Sequence, residues 1–553
     1  MPSDLIQQTQ TAIALARALI NNKLESIDPL KLVATTVAAT YLFCYLRYLQ
    51  KSDKTLTARF KNALFYYLRK VPYVRRKVDE EVEKVKGDLH HSIHASDKSG
   101  HFFVSLPQHG LSKDELIQTA KQYEDMEGPQ YLEGRVSGAV FSDEPDDQRE
   151  LLKEVFGMYA WSNPLWPKVF PGCRKMEAEV IRMCCDLFRG GPKACGTMST
   201  GGSMSILLAC LAYRNRALER GIEFPEMILP TSAHAAFTKA AELFRIKIVW
   251  AKLDPVTYQV DLKAVRRAIG SRTAMIVASA PNFPYGTTDD IVAIGKLGLD
   301  YKVPVHIDAC LGGFILPFAR LSGYHVPPFD FSVKGVTSIT ADTHKYGLTP
   351  KGSSVIVYRD PQYLHYQYFC DPDWQGGIYA SATFEGSRSG ANIALCWATM
   401  LFHGTDNYMK TSSAVVETTR KIRDGIKKIP ALRLFGSSDT CIVSFTSDKI
   451  DIHRLHDLMG KRGWQLANLQ FPSGVHIMVT LNQTKPGVAD AFIADIHGVV
   501  EEILASPKAQ AEGPAALYGM AQKLPDRSIV KEFAYAYLDE CYSTPTAMHN
   551  GTH

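Results

Sequence analysis

The sequence lacks the features that mark several specialised classes of protein. It has 553 residues but only 11 cysteines, an odd number lying mostly in apolar runs, as expected for reduced, buried thiols rather than a disulfide framework. No Cys-x-x-Cys or Cys-x-His spacing indicates a zinc site. The formal net charge of +5 is too small to argue for nucleic-acid binding. With 46% hydrophobic and 22% charged residues, a disordered or collagen-like chain is excluded, and about three or four globular units are expected.

The uncharged run near the N-terminus is too short to be an obvious membrane span. Residues 32–46 carry no charge over 15 positions, against the roughly 20 residues that cross a bilayer. Basic residues flank this run and could snorkel, so 29–50 could form a membrane helix, the alternative being a buried or interfacial helix. Ten basic residues but a single acid, Asp53, follow between 47 and 77. This asymmetry predicts a luminal N-terminus, with the rest of the chain in the cytosol.

From about residue 175 the chain alternates between short apolar runs and stretches of helical periodicity. Such alternation predicts a mainly parallel sheet covered by helices on both faces. The apolar runs are EMILP (226–230), KIVWAKL (247–253), AMIVASAP (274–281), VPVHIDA (303–309), VTSITAD (336–342) and SSVIVYR (353–359). A smaller α+β domain with a long helix over 408–427 is predicted to follow. The predicted regions are an N-terminal segment with a membrane anchor (1–55), a helical and loop region (56–155), a large domain (156–405) and a small domain (406–553).

A glycine-rich turn precedes an almost wholly apolar helix in CGTMSTGGSMSILLACLAYRNRA (195–217). Thr200, Gly202 and Ser203 lie where the free N–H groups and hydroxyls of a helix N-terminus bind an anion, most naturally a phosphate. The turn lacks the Gly-Lys-Ser/Thr ending of a Walker loop. Because a Gly-Gly pair before a helix is often only a turn, this motif alone leaves both interpretations open.

Two further polar residues lie at predicted strand ends. Asp308 closes the VPVHIDA run, and a carboxylate there needs a partner because burying an unpaired charge is costly. It is either a helix N-cap or a counter-charge for a cationic ligand group. Lys345, in SITADTHKYGLTPKGSS (338–354), follows a later strand in a polar loop, where a lone lysine is usually solvated.

The order of these three features matches the requirements of pyridoxal phosphate. A lysine amine forms an imine with the cofactor aldehyde, an aspartate keeps the ring nitrogen protonated, and a helix N-terminus binds the phosphate. A flat side chain should stack on the ring, and His234, which follows the EMILP run, is placed for that role. The alternative for His234 is a histidine at a helix N-terminus with no ligand. The three features together predict this cofactor, with Lys345 and Asp308 as its main partners.

Four longer strings resemble those of the sphingosine-1-phosphate lyases: SAHAAF, HIDACLGGF, TSITADTHKYG-x-x-PKGSS and DWQGGIYASATFEGSRSG. The similarity covers roughly residues 100–545 and extends more distantly to the group II decarboxylases. It implies an α/β enzyme of fold-type I, with a mainly parallel seven-stranded sheet, a small C-terminal α+β domain and an N-terminal membrane helix. It also implies a homodimer anchored in the endoplasmic reticulum membrane through membrane lipid contacts, with a cytosolic catalytic domain. The implied reaction splits a phosphorylated long-chain base into a fatty aldehyde and phosphoethanolamine.

The resemblance also implies a role for each matching position. Lys345 matches the Schiff-base lysine, Asp308 the partner of the ring nitrogen and His234 the stacked imidazole. Four positions fall where the family contacts the cofactor phosphate: Thr200, Gly202, Ser203 and His344. Three more match positions that face the substrate phosphate or the reacting carbons: Lys351, Tyr379 and Arg388. The base for the C3 hydroxyl stays open among Tyr379, a histidine, Lys345 and the substrate phosphate.

Three positions depart from the family pattern. Phe141, Trp166 and Met204 stand where tyrosine, histidine and glutamate are usual. The first two would normally lie near the substrate phosphate, so two hydrogen-bond donors are lost, each worth roughly 1.5–3 kcal/mol when bonded to a charged group. Two alternatives to an active lyase therefore stay open. One is a pyridoxal phosphate-dependent amino-acid decarboxylase, and the other is a cofactor-binding homologue with weakened activity.

Overall fold

The computed structural model separates into two compact units, Met1–Asp53 and Lys54–His553. The residues that it describes are 14–15, 17–18, 21–22, 28–51, 56–97, 102–507 and 526–544. In the first unit, helix α1 spans Pro29–Lys51. Within these described ranges, no helix is both long and apolar enough to cross a bilayer. The membrane helix stays a prediction, and most of the predicted luminal segment lies outside the described residues.

In the described part of the second unit, five α-helices precede the first strand. They are α2 Leu56–Leu68, α3 Pro72–Ile93, α4 Lys113–Glu124, α5 Asp146–Tyr159 and α6 Pro171–Leu187. Local sequence signals explain where several of them begin. Ser112 and Glu115 form a reciprocal capping box at the start of α4. Proline occupies the first turn of α3 and of α6, where its missing N–H costs no hydrogen bond.

A seven-stranded sheet forms the core of the second unit. Its strands are β1 Cys195–Ser199, β2 Glu226–Pro230, β3 Lys247–Ala251, β4 Thr273–Ser279, β5 Val305–Asp308, β6 Val336–Ala341 and β7 Ser354–Tyr358. The order is β1-β7-β6-β5-β4-β2-β3, and only β7 runs antiparallel to its neighbours, so the predicted mainly parallel sheet is confirmed. The last six strands coincide with the six apolar runs. Strand β1 was not predicted, because the sequence CGTMS has little strand propensity.

Helices cover both faces of this sheet, as predicted. They are α7 Gly202–Glu219, α8 Ala235–Phe244, α9 Leu262–Ala268, α10 Ile291–Tyr301, α11 Leu316–Leu321 and α12 Pro361–Leu364. Because strand side chains alternate between faces, neighbouring residues of one strand enter different apolar clusters. Met227 and Leu229 pack with residues of α7 and α8, whereas Ile228 packs in the cluster on the other face.

The C-terminal elements form a smaller α+β assembly. A hairpin, β8 Phe369–Asp371 and β9 Tyr379–Ser381, precedes helix α13 Gly390–Lys427. This helix is longer than the predicted 408–427, and Gly404, at φ 56°, interrupts its helical geometry. An antiparallel sheet in the order β10-β11-β13-β12 follows, formed by β10 Arg433–Leu434, β11 Ile442–Thr446, β12 Ala467–Leu469 and β13 Gly474–Met478. Its helices are α14 Ile452–Lys461 and α15 Val488–Ala505, whereas α16 Arg527–Cys541 packs against α3.

Candidate active site

The strand order brings the predicted site residues to one edge of the large sheet. Strands β1, β5 and β6 end at this edge, and the antiparallel β7 begins there. Ser199 pairs with Ser354, and Asp308 pairs with Thr340. The glycine-rich turn follows β1, and the segment with Lys345 follows β6. Groups that are far apart in sequence therefore meet at the strand ends, where open α/β sheets bind their ligands.

A cavity of about 440 Å³ lies at this edge. Six predicted site residues line it: Thr200, Gly202, Ser203, His234, His344 and Lys345. The other lining residues are Gly201, Met204, Ile206, Cys310 and Asp342. Because the glycine-rich turn shares its cavity with a lysine amine and two imidazoles, the geometry favours an anion site over a plain turn.

The glycine-rich turn leaves the start of helix α7 open to an anion. No side chain caps this helix, so its first N–H groups can donate to a ligand. A Cβ on Gly202 would lie 2.6 Å from both carboxylate oxygens of Asp342, which explains the glycine. Buried hydroxyls support the turn: the Oγ atoms of Ser199 and Ser205 lie 2.7 Å apart, and those of Ser205 and Ser354 lie 2.9 Å apart. These bonds join β1, α7 and β7 next to the cavity.

Lys345 is held by an ion pair that the sequence reasoning missed. Its Nζ lies 3.0 Å from Oδ2 of Asp342, whose side chain is 3% exposed. Burial lowers the pKa of the Lys345 ammonium, but the charges of Asp342 and, less strongly, Asp308 outweigh it and raise the pKa above its ordinary value. The Oδ1 atom of Asp342 is buried and has no hydrogen-bond partner. Asp342 is thus the main group that keeps Lys345 protonated.

His344 lies beside this ion pair as a neutral imidazole. Its Nδ1 donates a hydrogen bond to the carbonyl of Ser353, and its Nε2 lies 3.8 Å from Oδ2 of Asp342. Burial lowers the pKa of His344 below its ordinary value, although Asp342 and the Ser353 carbonyl oppose this. At neutral pH the imidazole is therefore uncharged, and Nδ1 carries its proton.

A neighbouring cavity of about 320 Å³ shares His344 and contains the predicted substrate-binding Lys351. The Lys351 Nζ lies 5.1 Å from the centre of the Phe141 ring, which packs edge-on against Tyr346. Desolvation and the positive charge of Lys345 lower the pKa of Lys351. Since the two cavities share a wall residue, a ligand in the first could place a second anionic group near Lys351.

Asp308 and His234 were each interpreted either as a residue that caps a helix or as one that contacts a ligand, and the structure has features of both. Asp308 ends β5, is buried, and accepts a hydrogen bond from the N–H of Cys310 at 3.1 Å. His234 caps α8, since its Nδ1 accepts the N–H of Ala236 at 3.1 Å, and it also lines the first cavity. A capping role therefore does not exclude a contact with a ligand, because the ring face of a capping histidine can still meet one.

Tyr379 and Arg388 line neither cavity. Tyr379 lies in the β8–β9 hairpin, with its ring centre 6.0 Å from that of Trp374. Arg388 donates two hydrogen bonds to the carboxylate of Glu177 in α6, at 2.5 and 2.9 Å. This guanidinium is already paired within the chain. The substrate roles of both residues stay predictions.

Sequence reasoning missed three acidic residues. Asp342 had a local signal, because it directly follows β6 and precedes Lys345 by three positions. Glu177 pairs with Arg388 across 211 positions, and Glu385 accepts a hydrogen bond from Thr200 at 3.1 Å across 185 positions. Contacts over such separations leave no local pattern in a single sequence.

The residues present fit pyridoxal phosphate. The uncapped start of α7, at which a Cβ on Gly202 would collide with Asp342, forms a cradle for a phosphate. The amine of Lys345 suits an aldehyde, and the buried Asp308 suits a protonated ring nitrogen. The cavity lining therefore has groups for the phosphate and the aldehyde, whereas Asp308 does not itself line the cavity but lies against Cys310, which does.

Comparisons with known proteins agree with this assignment. Residues 146–447 match the model of the pyridoxal-dependent decarboxylase conserved domain. The chain is 46% identical to the sphingosine-1-phosphate lyase of Drosophila melanogaster, over 93% of this chain and 94% of that protein. It is 44% identical to sphingosine-1-phosphate lyase 1 of Rattus norvegicus, over 96% of this chain and 93% of that protein. A solved sphingosine-1-phosphate lyase from Burkholderia pseudomallei has a TM-score of 0.73 and 38% identity, over 80% of this chain and 98% of that one. The fold is shared with a glutamate decarboxylase from Lactobacillus brevis. That structure has a TM-score of 0.64 and 20% identity, over 76% of this chain and 99% of that one.

Proposed function

Because the chain belongs to the sphingosine-1-phosphate lyase family, we propose that it cleaves phosphorylated long-chain bases with pyridoxal phosphate in sphingolipid degradation. The reaction breaks the C2–C3 bond of sphingosine 1-phosphate or dihydrosphingosine 1-phosphate. Its products are a long-chain fatty aldehyde and phosphoethanolamine. Beyond family membership, the proposal is carried by the placement of the Lys345 amine in one cavity with the uncapped start of α7.

Each part of the cofactor site has a distinct task. The N–H groups and hydroxyls at the start of α7 would hold the phosphate, and His234 would lie against the ring. Asp308 would hold a proton on the ring nitrogen, and Lys345 would bond to the aldehyde carbon. When bound, the cofactor supplies an electron sink for the pair released as the C2–C3 bond breaks.

The charged residues around the cavities serve the substrate. Asp342 would keep a proton on the Lys345 Nζ, and Nζ would donate this proton to C2 after the C2–C3 bond has broken. Lys351 would bind the substrate phosphate in the adjoining cavity. That contact is remote from the bond that breaks, so its binding energy can be used to position the reacting carbons.

A mass-spectrometric assay tests the reaction. The purified chain is incubated with pyridoxal phosphate and dihydrosphingosine 1-phosphate, and hexadecanal and phosphoethanolamine are measured. Borohydride reduction followed by peptide mapping should place the trapped cofactor on Lys345. We expect Lys345→Ala to abolish both the trapped adduct and aldehyde release, whereas Lys351→Ala retains the adduct and raises KM.

The alternatives give different results in the same assay. A trapped adduct with CO₂ release from amino acids, and no aldehyde, would identify an amino-acid decarboxylase. An adduct with slow or absent aldehyde release would identify a homologue with weakened activity. Aldehyde release by Lys345→Ala at the wild-type rate would refute the proposed site itself.

We also propose that the enzyme is a homodimer whose sites are completed across the interface. Tyr379 lines neither cavity of its own chain, although the resemblance gives it a place at the reacting centre. Large aromatic side chains near this hairpin and in the segment before α6 are exposed, namely Trp161 at 91%, Trp166 at 60% and Trp374 at 56%. Exposed apolar surface of this kind is typical of an interface. Tyr379 would then reach the cavity of the second protomer.

Coexpression of two inactive variants tests this arrangement. When Lys345→Ala and Tyr379→Phe chains pair at random, half of the dimers contain one chain of each kind. If Tyr379 acts across the interface, each of these mixed dimers has one site with both native residues. Activity should then return to about a quarter of the wild-type value. If both residues act within one chain, no mixed site is intact, and activity should stay at the level of the separate variants.

Finally, we propose that the N-terminal region attaches the enzyme to the endoplasmic reticulum membrane as a single-pass anchor, with its catalytic domain in the cytosol. Helix α1 exposes apolar side chains, including Val33, Val37 and Tyr41, and the ten basic residues of 47–77 suit a cytosolic flank. Attachment would hold the site near a substrate whose alkyl chain lies in the bilayer. Deletion of residues 1–55 should release the protein from carbonate-washed membranes, and a glycosylation acceptor placed before residue 28 should be modified.

A further inference from the structure

Two histidines and a glutamate meet where the N-terminal and C-terminal helices of the second unit pack together. His90 lies in the last turn of α3, and His94 lies one turn further on, at the C-cap. Glu540, near the end of α16, approaches both of them from 450 positions away. Its Oε2 lies 2.9 Å from the Nδ1 of His90 and 4.0 Å from the Nε2 of His94. All three side chains are partly buried, and none of them lines the cavities around Lys345 and Lys351.

The spacing of these atoms suits a metal ion. One ligand atom from each residue lies within 4.8 Å of the other two. Around a tetrahedral zinc ion with bonds of about 2.0–2.2 Å, neighbouring ligand atoms are roughly 3.3–3.6 Å apart. The observed separations of 2.9 and 4.0 Å bracket that distance, so small side-chain rotations would complete the geometry. Two imidazoles and one carboxylate form a common zinc ligand set that leaves a fourth position for water.

A second carboxylate prepares His94 for this role. The Nδ1 of His94 lies 2.6 Å from Oδ2 of Asp97, so Nδ1 carries the proton in a neutral ring and Nε2 presents a lone pair. The Nε2 atom lies 2.9 Å from Oγ of Ser543, whose hydroxyl donates a hydrogen bond to the carbonyl of Glu540. A carboxylate that orients a ligating histidine through its second nitrogen is a recurring feature of zinc sites. The arrangement is therefore more specific than a chance pairing of surface charges.

The surrounding charges also favour a cation. Glu540 and Asp97 contribute two carboxylates to the cluster. The negative charge also acts on Lys86 in α3. The pKa of Lys86 is raised, mainly by its hydrogen bond to Glu83 and further by the charges of Asp539 and Glu540. A divalent ion bound between the two imidazoles would compensate the charge of these carboxylates.

We propose that His90, His94 and Glu540 form a binding site for a divalent transition-metal ion, Zn²⁺ by its ligand set, that joins α3 to α16. Helix α16 is also connected to the turn before α3, where Arg69 forms two hydrogen bonds with Glu532 at 2.6 and 2.7 Å. The metal would thus join the opposite end of the helix pair. Its binding to the folded chain alone would stabilise that chain in proportion to the logarithm of the metal concentration.

Metal titration of the full-length chain tests the proposal. The protein is purified without a polyhistidine tag, loaded with pyridoxal phosphate and stripped of metal with EDTA, and ZnCl₂ is then titrated in by calorimetry. We expect one zinc ion per chain in this site and a zinc-dependent rise in the unfolding temperature. Titration with Co²⁺ should give the intense visible bands of a four-coordinate ion.

Variants locate the ion. His94→Gln and Glu540→Gln should each weaken zinc binding by at least tenfold, and Asp97→Asn by about 10–100-fold, because it acts through the orientation of His94. His91→Gln is the matched control, since His91 lies next to His90 on α3 but is exposed and outside the cluster. Retained absorbance of the bound cofactor shows that a variant has folded. Equal zinc affinity in His91→Gln and His94→Gln, or a wild-type chain without four-coordinate Co²⁺ bands, would overturn the proposal.

Discussion

At the scale of single residues, Asp342 determines the charge of the amine on which the candidate site depends. It lies 3.0 Å from the Lys345 Nζ and raises the pKa of that group, whereas burial alone would lower it. An amine must be neutral to attack an aldehyde, so this carboxylate would slow the reaction of Lys345 with pyridoxal phosphate. The same charge favours the later state in which Lys345 holds a proton near the reacting carbons.

The substitution Asp342→Asn separates these two effects. Removal of the negative charge lowers the pKa of Lys345, so a larger fraction of the amine is neutral at a given pH. We expect the cofactor-free variant to combine with pyridoxal phosphate at lower pH, with a midpoint shifted down by about one unit. The visible absorbance of the bound cofactor, followed in a stopped-flow instrument over a pH series, measures this shift.

Asp308→Asn is the matched control for that experiment. Asp308 contributes less than Asp342 to the pKa of Lys345, so its midpoint should shift less, while its turnover should fall because the ring nitrogen loses its counter-charge. A midpoint that moves upward in Asp342→Asn would contradict the assignment of Asp342.

Phe141 and Trp166 are the two departures from the family pattern with a predicted cost. The Phe141 ring is buried beside Lys351, in the cavity assigned to the substrate phosphate, so a hydroxyl added there has an anion within reach. We expect Phe141→Tyr together with Trp166→His to raise kcat/KM on sphingosine 1-phosphate by about tenfold, since one hydrogen bond to a charged group is worth roughly 1.5–3 kcal/mol. Steady-state assays of the double and both single variants measure the effect, and no gain in any of them would show that the departures are tolerated.

The sequence identified those site residues whose chemistry is visible in a short string. Asp308 ends an apolar run that became a strand, and His344 and Lys345 follow another, so their position at the sheet edge could be predicted. The pairing of Arg388 with Glu177 could not, because it joins a loop to a helix 211 positions away. Tyr379 was identified by resemblance alone, and its distance from the Lys345 cavity depends on the path of the β8–β9 hairpin.

At the scale of elements, the start of helix α7 is the feature that makes the turn after β1 a binding site. Gly202 is its first residue, and a Cβ there would lie 2.6 Å from both carboxylate oxygens of Asp342. Gly202→Ala must therefore displace either the helix start or the carboxylate. We expect the affinity for pyridoxal phosphate to fall by at least tenfold, as the loss of a hydrogen bond to a charged group of about 1.5–3 kcal/mol would produce.

Gly460→Ala controls for the general effect of placing alanine at a helical glycine. Gly460 lies in α14, and a Cβ there would meet nothing within 4 Å. This variant should keep the wild-type affinity, measured by equilibrium dialysis of the cofactor. A similar loss in both variants would mean that the Gly202 cradle is not specific to the phosphate.

The pattern of apolar residues predicted six of the seven strands of the large sheet. It missed β1, whose position depends on packing against a neighbouring strand. Six strands were visible as apolar runs, five of them because they are buried on both faces, whereas the edge strand β3 leaves Trp250 exposed. Strand β1 was missed because its place depends on contact with β7: a Cβ on Gly196 would lie 2.1 Å from the carbonyl oxygen of Ile356. Where two strands approach this closely, only small residues fit. In a single sequence, such small residues look like part of a loop because the neighbouring strand is not known.

At the scale of the whole molecule, three buried ionisable groups outside the site contribute to the response of the fold to acid. Burial lowers the pKa of His306 to about 3 and that of His476 to about 4. Both stay neutral in the folded chain while the unfolded chain takes up protons below about pH 6.5, so each removes up to about 1.4 kcal/mol of stability per pH unit as the pH falls. Asp289 acts in the opposite sense, because burial raises its pKa to about 6. The folded chain therefore binds that proton before the unfolded chain does, and Asp289 contributes stability as the pH falls from about 6 to 4.

Below pH 7, substitution of the two histidines and substitution of Asp289 should therefore have opposite effects on how the unfolding temperature depends on pH. We expect His476→Asn and His306→Asn to flatten the fall of the apparent unfolding temperature between pH 6.5 and about 4.5, since each removes one proton uptake that favours unfolding. Asp289→Asn should steepen it, because the compensating uptake in the folded chain is lost. Scanning calorimetry at fixed cofactor concentration measures all three profiles, each relative to its own value at pH 7 so that packing losses cancel. A flatter profile for Asp289→Asn would contradict this assignment, because only a carboxyl that is protonated first in the folded chain can oppose the two histidines.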